Sequence, residues 1–368
     1  FGLLAPIIKR IANEPGMEYK LIVTGAHLSE QYGSSISEIE KEDINIDYKI
    51  NVGATGDSSK GIVKELTTII DEVCEIIEKE KPNYFFVLGD RYETYAAAQA
   101  AFFCNIPLAH SGGGNVTLGG CLDDTIRHLI TKLAALHFVT CKENARNVKK
   151  LGEEQWRIFE TGSPAVETVV NETLMSKEEL EDLFHISLNE PLILFTQHPV
   201  ASNWSISDRQ VRESLKALDE LGYQTIITYP NTDAGGSLII EEYKKWNDRK
   251  HFHFVKNLGR IKYLSLMKYS SVVVGNSSSG LLETPIFKIP AVNIGERQKG
   301  RVRSSNVIDT NYNMNEIKEA IQTCLKDNEF LFNVKSCENP FGVGDTSIRI
   351  VEILKKYKNQ SNLLIKEL

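Results

Sequence analysis

The feature that most constrains this chain is an alternation of buried-strand and amphipathic-helix patterns along all 368 residues. Apolar runs such as YKLIVTG, YFFVLG and SVVVGNSSSG end in glycine and small polar residues, which is typical of parallel strands followed by loops. Periodic segments such as KGIVKELTTIIDEVCEIIEKEKP lie between them and are typical of helices. This alternation predicts parallel sheets with helices on both faces.

The alternation occurs twice, and a polar helical stretch near residues 170–190 separates the two halves. A chain of this length exceeds one ordinary core, so two domains are expected. We predict an N-terminal Rossmann-like domain at 1–170, a C-terminal nucleotide-binding Rossmann-like domain at 171–345, and a C-terminal helix at 346–368 that packs back on the N-terminal domain. The predicted fold class is α/β and GT-B-like, with two doubly wound domains facing a cleft. Because FGLLAP already reads as a helix, we expect a first strand to be missing.

Composition excludes several function classes. The formal net charge is −7, from 42 basic and 49 acidic residues, and a negative chain is a poor partner for nucleic acid. The six cysteines form no CxxC pair, so a zinc site has no support. No signal peptide or membrane-length apolar run occurs, and we expect a cytoplasmic protein without a membrane partner. Neither a GxGxxG after a strand nor a P-loop motif is present, which argues against an NAD enzyme or a kinase.

The segment GDRYE follows the run YFFVLG and places Asp90 and Arg91 at the carboxyl end of a predicted strand. Ligands of open α/β sheets bind at such strand ends, so Asp90 is a candidate general acid or base. The alternative is that Asp90 only caps the following helix, which the residues alone favour.

The segment LDDTIRH opens a predicted helix with two acids, Asp123 and Asp124. Helix capping explains paired acids at this position equally well. If the helix start faces a ligand site, both carboxylates are candidates for proton transfer. We interpret Arg127 and His128 as structural side chains that pair locally.

In the second half, GNSSSG follows a buried strand and offers Ser277 and Ser278 to a phosphate, although the same residues are common helix caps. Glu283 is able to accept ribose hydroxyls or to complement a helix dipole. The basic loop GERQKGRVR makes Arg297 the best candidate for a bidentate anion contact, against the alternative of a solvated loop. In TQHP, His198 follows a strand directly, and the next proline restricts the backbone.

Taken together, GDRYE, LDDTIRHLITKLAALHF, TQHP, PNTDAG, GNSSSGLLE and GERQKGR resemble the hydrolysing UDP-N-acetylglucosamine 2-epimerases over essentially the whole chain. The resemblance implies a GT-B-like fold, a nucleoside-diphosphate amino sugar as substrate, no cofactor or metal, and a homodimer or homotetramer. It also implies elimination of the nucleotide to a glycal, followed by hydration to a free N-acetylmannosamine-type sugar, as in sialic acid biosynthesis. Enzymes acting on GDP- or UDP-diacetylbacillosamine in legionaminic acid synthesis would show similar motifs.

The resemblance also implies roles for individual residues. Catalytic positions of the family fall on Asp90, Asp123 and His198, with Asp124 beside them. Substrate-binding positions fall on the following residues: Arg91, His27, Ser277, Ser278, Glu283, Arg297, Asn231 and Asp233. One departure concerns Asn115, which stands in the catalytic Gly-rich loop where the family usually has an acid; an amide does not exchange protons as a carboxylate does.

Three alternatives remain open at this stage. The first is a non-hydrolysing 2-epimerase, which would return an intact nucleotide sugar. The second is a GT-B glycosyltransferase, which needs an acceptor. The third is a nucleotide-sugar-binding protein without catalysis, which Asn115 makes credible. Product analysis distinguishes a non-hydrolysing epimerase from a hydrolysing one. Deuterium incorporation at C2 distinguishes an epimerase from a binding protein without catalysis.

Overall fold

The computed structural model describes residues 1–28, 36–52, 58–116, 122–231, 235–358, 360 and 362–367. The chain forms two compact units: unit 1 is Phe1–Thr168 with Phe341–Leu368, and unit 2 is Val169–Pro340. The chain therefore returns from unit 2 to unit 1 after Pro340, whereas the sequence predicts the end of the second domain at residue 345. The backbone explains this position, because Ser163 N–H donates to the carbonyl of Phe341 at 2.7 Å.

Unit 1 contains two groups of parallel strands. Its strands are β1 (Ile22–Thr24), β2 (Tyr48–Ile50), β3 (Phe85–Leu88), β4 (Leu108–Ser111), β5 (Leu136–Val139) and β6 (Ile158–Glu160). The pair β1–β2 is one sheet, and β3-β4-β5-β6 is a second sheet in that order. The side chains of β4 and β5 are all buried, including the polar side chains of His110, Ser111 and His137.

The described helices of unit 1 alternate with these strands. They are α1 (Ala5–Ala12), α2 (Ile36–Lys41), α3 (Ser59–Glu80), α4 (Tyr92–Phe103), α5 (Leu122–Leu133), α6 (Lys142–Lys150) and α7 (Pro164–Val170), which crosses into unit 2. The Ser58 hydroxyl accepts from Gly61 N–H at the start of α3. Lys81, at φ 49°, ends this helix directly before Pro82.

Unit 2 is a single parallel sheet. Its strands are β7 (Leu192–Thr196), β8 (Gln224–Thr228), β9 (Phe252–Val255), β10 (Val272–Gly275), β11 (Ala291–Ile294) and β12 (Val307–Thr310). Their spatial order is β12-β11-β10-β7-β8-β9, so the direction of winding reverses between β7 and β10. This is the Rossmann order, whose ligands bind beyond the carboxyl ends of the strands at the reversal.

The reversal is also the tightest point of the sheet. Gly275, at φ +133°, pairs with Thr196, and any Cβ at position 275 would collide with the Thr196 carbonyl. Glycine is therefore required at the end of β10.

The remaining helices of unit 2 cover the sheet. They are α8 (Lys177–Phe184), α9 (Ser207–Leu221), α10 (Gly236–Lys244), α11 (Gly259–Tyr269), α12 (Ser279–Leu282), α13 (Thr284–Phe287), α14 (Met314–Lys326) and α15 (Asn328–Ser336). Fully buried apolar side chains of β7, α9 and α14, among them Phe195, Leu215 and Ile321, share one core cluster. Burial of these faces against the sheet is the main stabilising contribution to such a layered fold.

The last helix, α16 (Thr346–Tyr357), belongs to unit 1. The carboxylate of Glu167 accepts from Ser347 N–H at 2.7 Å at the start of α16, and Tyr84 Oη donates to the Leu354 carbonyl at 3.1 Å. Arg157, a fully buried side chain, donates to the Leu363 carbonyl beyond the helix at 2.7 Å. Among the helices described, none has the length and apolar composition needed to cross a bilayer.

Candidate active site

The centre of the site in unit 1 is Arg127, whose side chain is 7% exposed. Its guanidinium forms short ion pairs with Asp90, which follows β3, and with Asp124, one helical turn earlier on α5. It also donates to the Asn115 carbonyl at 2.7 Å. One buried guanidinium therefore brings together three of the residues singled out in the sequence.

The alternative that Asp90 serves as a helix cap is wrong. The cap position of α4 is Arg91, no side-chain cap bond forms there, and the carboxylate of Asp90 turns to Arg127. Arg127 likewise does more than pair locally, because Asp90 lies 37 positions away in the chain. A buried carboxylate–guanidinium pair is strongly oriented because each partner compensates the desolvation of the other.

His110, on β4, supports this arrangement from inside the sheet. The ring is fully buried, and burial lowers the pKa of His110 to about 3, so the imidazole is neutral. A backbone carbonyl only accepts, so Nε2–H of His110 donates to the carbonyl of Gly89, at 2.9 Å. Gly89 directly precedes Asp90, and His110 thereby fixes the backbone from which the Asp90 carboxylate extends.

Asn115 is held through both ends of its amide. Asn144 Nδ2 donates to Asn115 Oδ1 at 2.6 Å, and Asn115 Nδ2 donates to the Gly112 carbonyl at 3.3 Å. These contacts set the orientation of the Gly-rich loop beside Arg127. An amide in this place orders the loop but carries no exchangeable acid proton at neutral pH.

Unit 1 holds three further candidate residues, Asp123, Arg91 and His27. Asp123 is exposed at the start of α5, unlike its buried neighbour Asp124. Arg91 pairs with Glu93 at 3.4 Å; burial opposes the charge of Arg91, but Glu93 and, more weakly, Asp123 outweigh it and raise the pKa of Arg91. His27 is half-buried in the 3₁₀ turn Gly25–Leu28 after β1.

In unit 2, the loops after β7 and β10 are joined by Asn276. Its Oδ1 accepts from His198 N–H at 2.7 Å, and its Nδ2 donates to the His198 carbonyl at 2.8 Å. Asn276 is fully buried, so this reciprocal pair fixes both loops at the reversal of the sheet.

The same region determines which ring nitrogen of His198 carries the proton. Asn231 N–H donates to His198 Nδ1 at 3.0 Å. A ring nitrogen that accepts a hydrogen bond carries no proton, so we infer that neutral His198 has its proton on Nε2. His198 is thus held as a donor through Nε2. Asp233, two positions beyond Asn231, lies outside the described residues.

The basic loop after β11 reaches the same asparagine. Arg297 Nη1 and Gln298 Nε2 donate to the Asn276 carbonyl at 3.2 and 2.9 Å. Arg303 pairs closely with Asp309 and also donates to the Gln298 carbonyl at 2.9 Å. The loop is therefore ordered at the sheet edge by defined contacts, which argues against a merely solvated basic segment.

The GNSSSG segment differs from a simple helix start. The helix after it is interrupted: α12 and α13 have four residues each, and Ser278 at the cap position makes no side-chain cap bond. Ser277 Oγ and Ser279 Oγ are 2.7 Å apart, and Tyr263 Oη continues the chain of hydroxyls at 2.8 Å from Ser279 Oγ. The hydroxyls are thus ordered as a set of donors and acceptors.

Glu283 lies between α12 and α13 and is half-buried. Burial raises the pKa of Glu283 to about 7, against a smaller opposing effect of the Arg260 charge. The group is therefore poised to change its protonation near neutral pH. Across the described ranges, no group of three or more His, Cys, Asp or Glu side chains is arranged to hold a metal ion.

Sequence reasoning missed the residues that connect the candidates. Arg127 lies three positions after Asp124, a spacing that puts both on one helix face and could have revealed the pair. Asn276 and its partner His198 are 78 positions apart, and no local pattern indicates their contact. Strand β12 was also not predicted.

Two Rossmann-like units, one with carboxylates gathered on a buried arginine and one with donors at the sheet reversal, define an α/β protein of the GT-B class. The structure is similar to the UDP-GlcNAc 2-epimerase of Neisseria meningitidis bound to UDP-GlcNAc, with a TM-score of 0.80, 20% sequence identity and 96% coverage of each chain. This likeness confirms the predicted fold class.

Residues 9–355 match the family of UDP-N-acetylglucosamine 2-epimerases, and the chain belongs to this family. It is 37% identical over 368 residues to the GDP/UDP-N,N'-diacetylbacillosamine 2-epimerase (hydrolyzing) of Campylobacter jejuni, covering 99% of this chain and 94% of that protein. It is 33% identical over 365 residues to the polysialic acid biosynthesis protein P7 of Escherichia coli, covering 98% and 92%. The resemblance seen in the motifs is confirmed.

Proposed function

We propose that this protein is a hydrolysing 2-epimerase that converts UDP-N-acetylglucosamine, or a related nucleoside-diphosphate 2-acetamido sugar, into a free N-acetylmannosamine-type sugar and the nucleoside diphosphate. The observation that carries the proposal is the pairing of Asp90 and Asp124 on buried Arg127. Inversion at C2 requires a proton to leave one face of the sugar and another to arrive on the opposite face, and a set of oriented carboxylates suits both transfers.

The proposed reaction has two steps. In the first, a carboxylate takes the proton from C2, a C1–C2 double bond forms, and the C1–O bond breaks with its electron pair passing to the diphosphate. In the second, water adds across the double bond of this glycal, with hydroxyl at C1 and a proton at C2 on the opposite face. Asp90, Asp123 and Asp124 are the proposed acid–base groups.

Unit 2 supports the departure of the nucleotide. His198, with its proton on Nε2, is suited to donate toward the leaving diphosphate oxygen rather than to take the C2 proton. Arg297, Ser277 and Ser278 are the proposed contacts of the diphosphate. Glu283 is the proposed acceptor of the ribose hydroxyls. In the same scheme Arg91, His27, Asn231 and Asp233 contribute to substrate binding.

The similarity to the Campylobacter jejuni protein favours a second substrate candidate, a GDP- or UDP-linked diacetylbacillosamine. Both candidates share the nucleoside diphosphate and the 2-acetamido group, so the chemistry at C1 and C2 is the same. They differ in the substituents at C4 and C6 of the sugar.

NMR in heavy water tests the proposal with UDP-N-acetylglucosamine, GDP-diacetylbacillosamine and UDP-diacetylbacillosamine in turn. We expect free sugar and nucleoside diphosphate, with one deuterium at C2 and inverted configuration, and turnover about 10³-fold slower in the Asp90→Asn variant. An intact nucleotide sugar inverted at C2 would identify a non-hydrolysing epimerase. Nucleotide release without inversion, or binding without deuterium incorporation, would contradict epimerase activity altogether.

Asn115 provides a further test of the carboxylate assignment. In Asn115→Asp the Oδ1 contact with Asn144 is retained, so we expect kcat to change by less than about threefold. A rise of kcat by tenfold or more would instead show that a carboxylate in this loop is the missing proton carrier. We also propose a homodimer or homotetramer in solution, which light scattering measures.

A further inference from the structure

A pair of cysteines joins α3 and α4 outside the candidate active site. The Sγ atoms of Cys74 and Cys104 are 3.0 Å apart, and both residues are half-buried. In the reduced protein one thiol therefore donates to the other. A separation of 3.0 Å must shorten by only about 1 Å to reach a disulfide bond length.

The helices run side by side in the same direction. Tyr92 Oη, at the start of α4, donates to Glu65 Oε2 in the second turn of α3 at 2.9 Å. Further along α3, Cys74 meets Cys104, which directly follows the last residue of α4. The twelve residues of α4 span about 18 Å. Because Asp90 precedes the first turn of α4, the thiol pair lies roughly that distance along the helix from the candidate catalytic carboxylate.

We propose that Cys74 and Cys104 form a redox-modification site, in which a low-molecular-weight disulfide converts the two thiols to an intramolecular disulfide. One thiolate attacks the oxidant and releases one reduced thiol, giving a mixed disulfide. The second thiolate then attacks the protein sulfur of that mixed disulfide and releases the second reduced thiol. The protein loses two protons and two electrons, and the oxidant gains them.

The surroundings of the pair set its reactivity. Burial, together with the hydrogen bond to Cys74, raises the pKa of Cys104 to about 11. Since only the thiolate attacks, and its fraction grows with pH below the pKa, oxidation is slow at neutral pH and speeds up as the pH rises toward 9.

The disulfide would link two positions 30 residues apart and close a loop that contains β3 and all of α4. Such a link mainly restricts the unfolded chain, and for this loop length we expect a rise in Tm of about 5 to 10 °C. Because the link lies at the opposite end of α4 from Asp90, we expect kcat at 25 °C to stay within about twofold.

The experiment treats the full chain with oxidised glutathione at pH 8.5 and maps peptides under non-reducing conditions, with Tm recorded before and after. We expect a Cys74–Cys104 cross-linked peptide, the stated rise in Tm, and reversal of both by dithiothreitol. The variants Cys74→Ser and Cys104→Ser should lose the shift, whereas Cys121→Ser and Cys337→Ser should keep it.

The peptide map of the unaltered protein decides the matter even if a serine variant folds poorly. Two free thiols at these positions after treatment, a stable glutathione adduct on either cysteine, or a cross-link to any other cysteine would overturn the proposal. A cross-link formed without a rise in Tm would overturn its stabilising role.

Discussion

The candidate residues of the two units are held by different physical means. In unit 1, Arg127 compensates two carboxylates, so the arrangement depends on buried opposite charges. In unit 2, Asn276 joins His198 and the basic loop through neutral amide and backbone hydrogen bonds. Removing one member of a buried ion pair leaves an uncompensated charge in the interior. Removing a neutral amide leaves only uncharged backbone groups without that hydrogen-bond partner, which costs less. Unit 1 should therefore be the more sensitive to substitution, and its changes should act on kcat, while those in unit 2 act on nucleotide affinity.

The largest effect is expected from Asp90→Asn, which removes a proton carrier and keeps the size of the side chain. We expect kcat to fall by about 10³-fold, in the range of general acid–base catalysis. Continuous measurement of nucleoside diphosphate release gives the rate. The matched control is Asp71→Asn on the exposed face of α3, which should leave kcat unchanged. A loss below about tenfold at Asp90 would remove it from the reaction.

Arg127→Met should lower both activity and stability. It removes the guanidinium that pairs with the buried carboxylate of Asp124, and we expect the free energy of unfolding to fall by about 3 kcal/mol and kcat by about 100-fold. Urea unfolding and steady-state rates provide the two measurements. Arg146→Met removes an exposed arginine paired with Glu143 and should cost less than about 0.5 kcal/mol. Equal losses of unfolding free energy in both variants would mean that the buried Arg127 ion pairs contribute no more to stability than an exposed one.

Asn276→Ala breaks the equivalent connection in unit 2. We expect the Kd for the nucleoside diphosphate to rise about tenfold with a smaller change in kcat, because the donors around His198 lose their alignment. Calorimetric titration measures the affinity. Asn306→Ala is a close control, since Asn306 is equally buried and bonds Thr284 and Ile289. If both variants lose affinity alike, general loosening of unit 2 accounts for the effect.

The smallest effect on nucleotide binding is expected from the protonation of Glu283, which also makes stability depend on pH. Its folded-state pKa of about 7 lies above the ordinary value of 4.5, so its contribution to stability is full below pH 4.5 and is lost as the pH rises through 7. Over this interval the loss is about 3 kcal/mol. Thermal unfolding from pH 5 to 8 should reveal this slope, and Glu283→Gln should flatten it.

A carboxylate that accepts ribose hydroxyls must be ionised to bind best, so nucleotide affinity should decline a few-fold as the pH falls below 7. The Glu283→Gln variant should bind more weakly and show no such dependence. A wild-type affinity independent of pH between 6 and 8 would argue against contact between Glu283 and the ribose.

Local patterns were sufficient for most of the fold. Periodicity and apolar runs are properties of neighbouring residues, so β7, β10 and the long helix α3 were predicted, the last down to its stop at Pro82. Strand β12 was missed because VIDT is short and mixes apolar and polar residues. The break at Glu283, between α12 and α13, was not predicted.

The sequence by itself determined the α/β class, the two-fold repeat of the strand–helix pattern and the candidate polar residues at strand ends, because each depends on short-range order along the chain. Only the tertiary structure decided which of those residues meet. Asp90 turned from a presumed cap into a partner of Arg127, and His198 acquired a defined proton position from Asn231. Such contacts join residues tens of positions apart, and they exist only after the sheet has brought the strand ends together and burial has removed the water that would otherwise satisfy these groups.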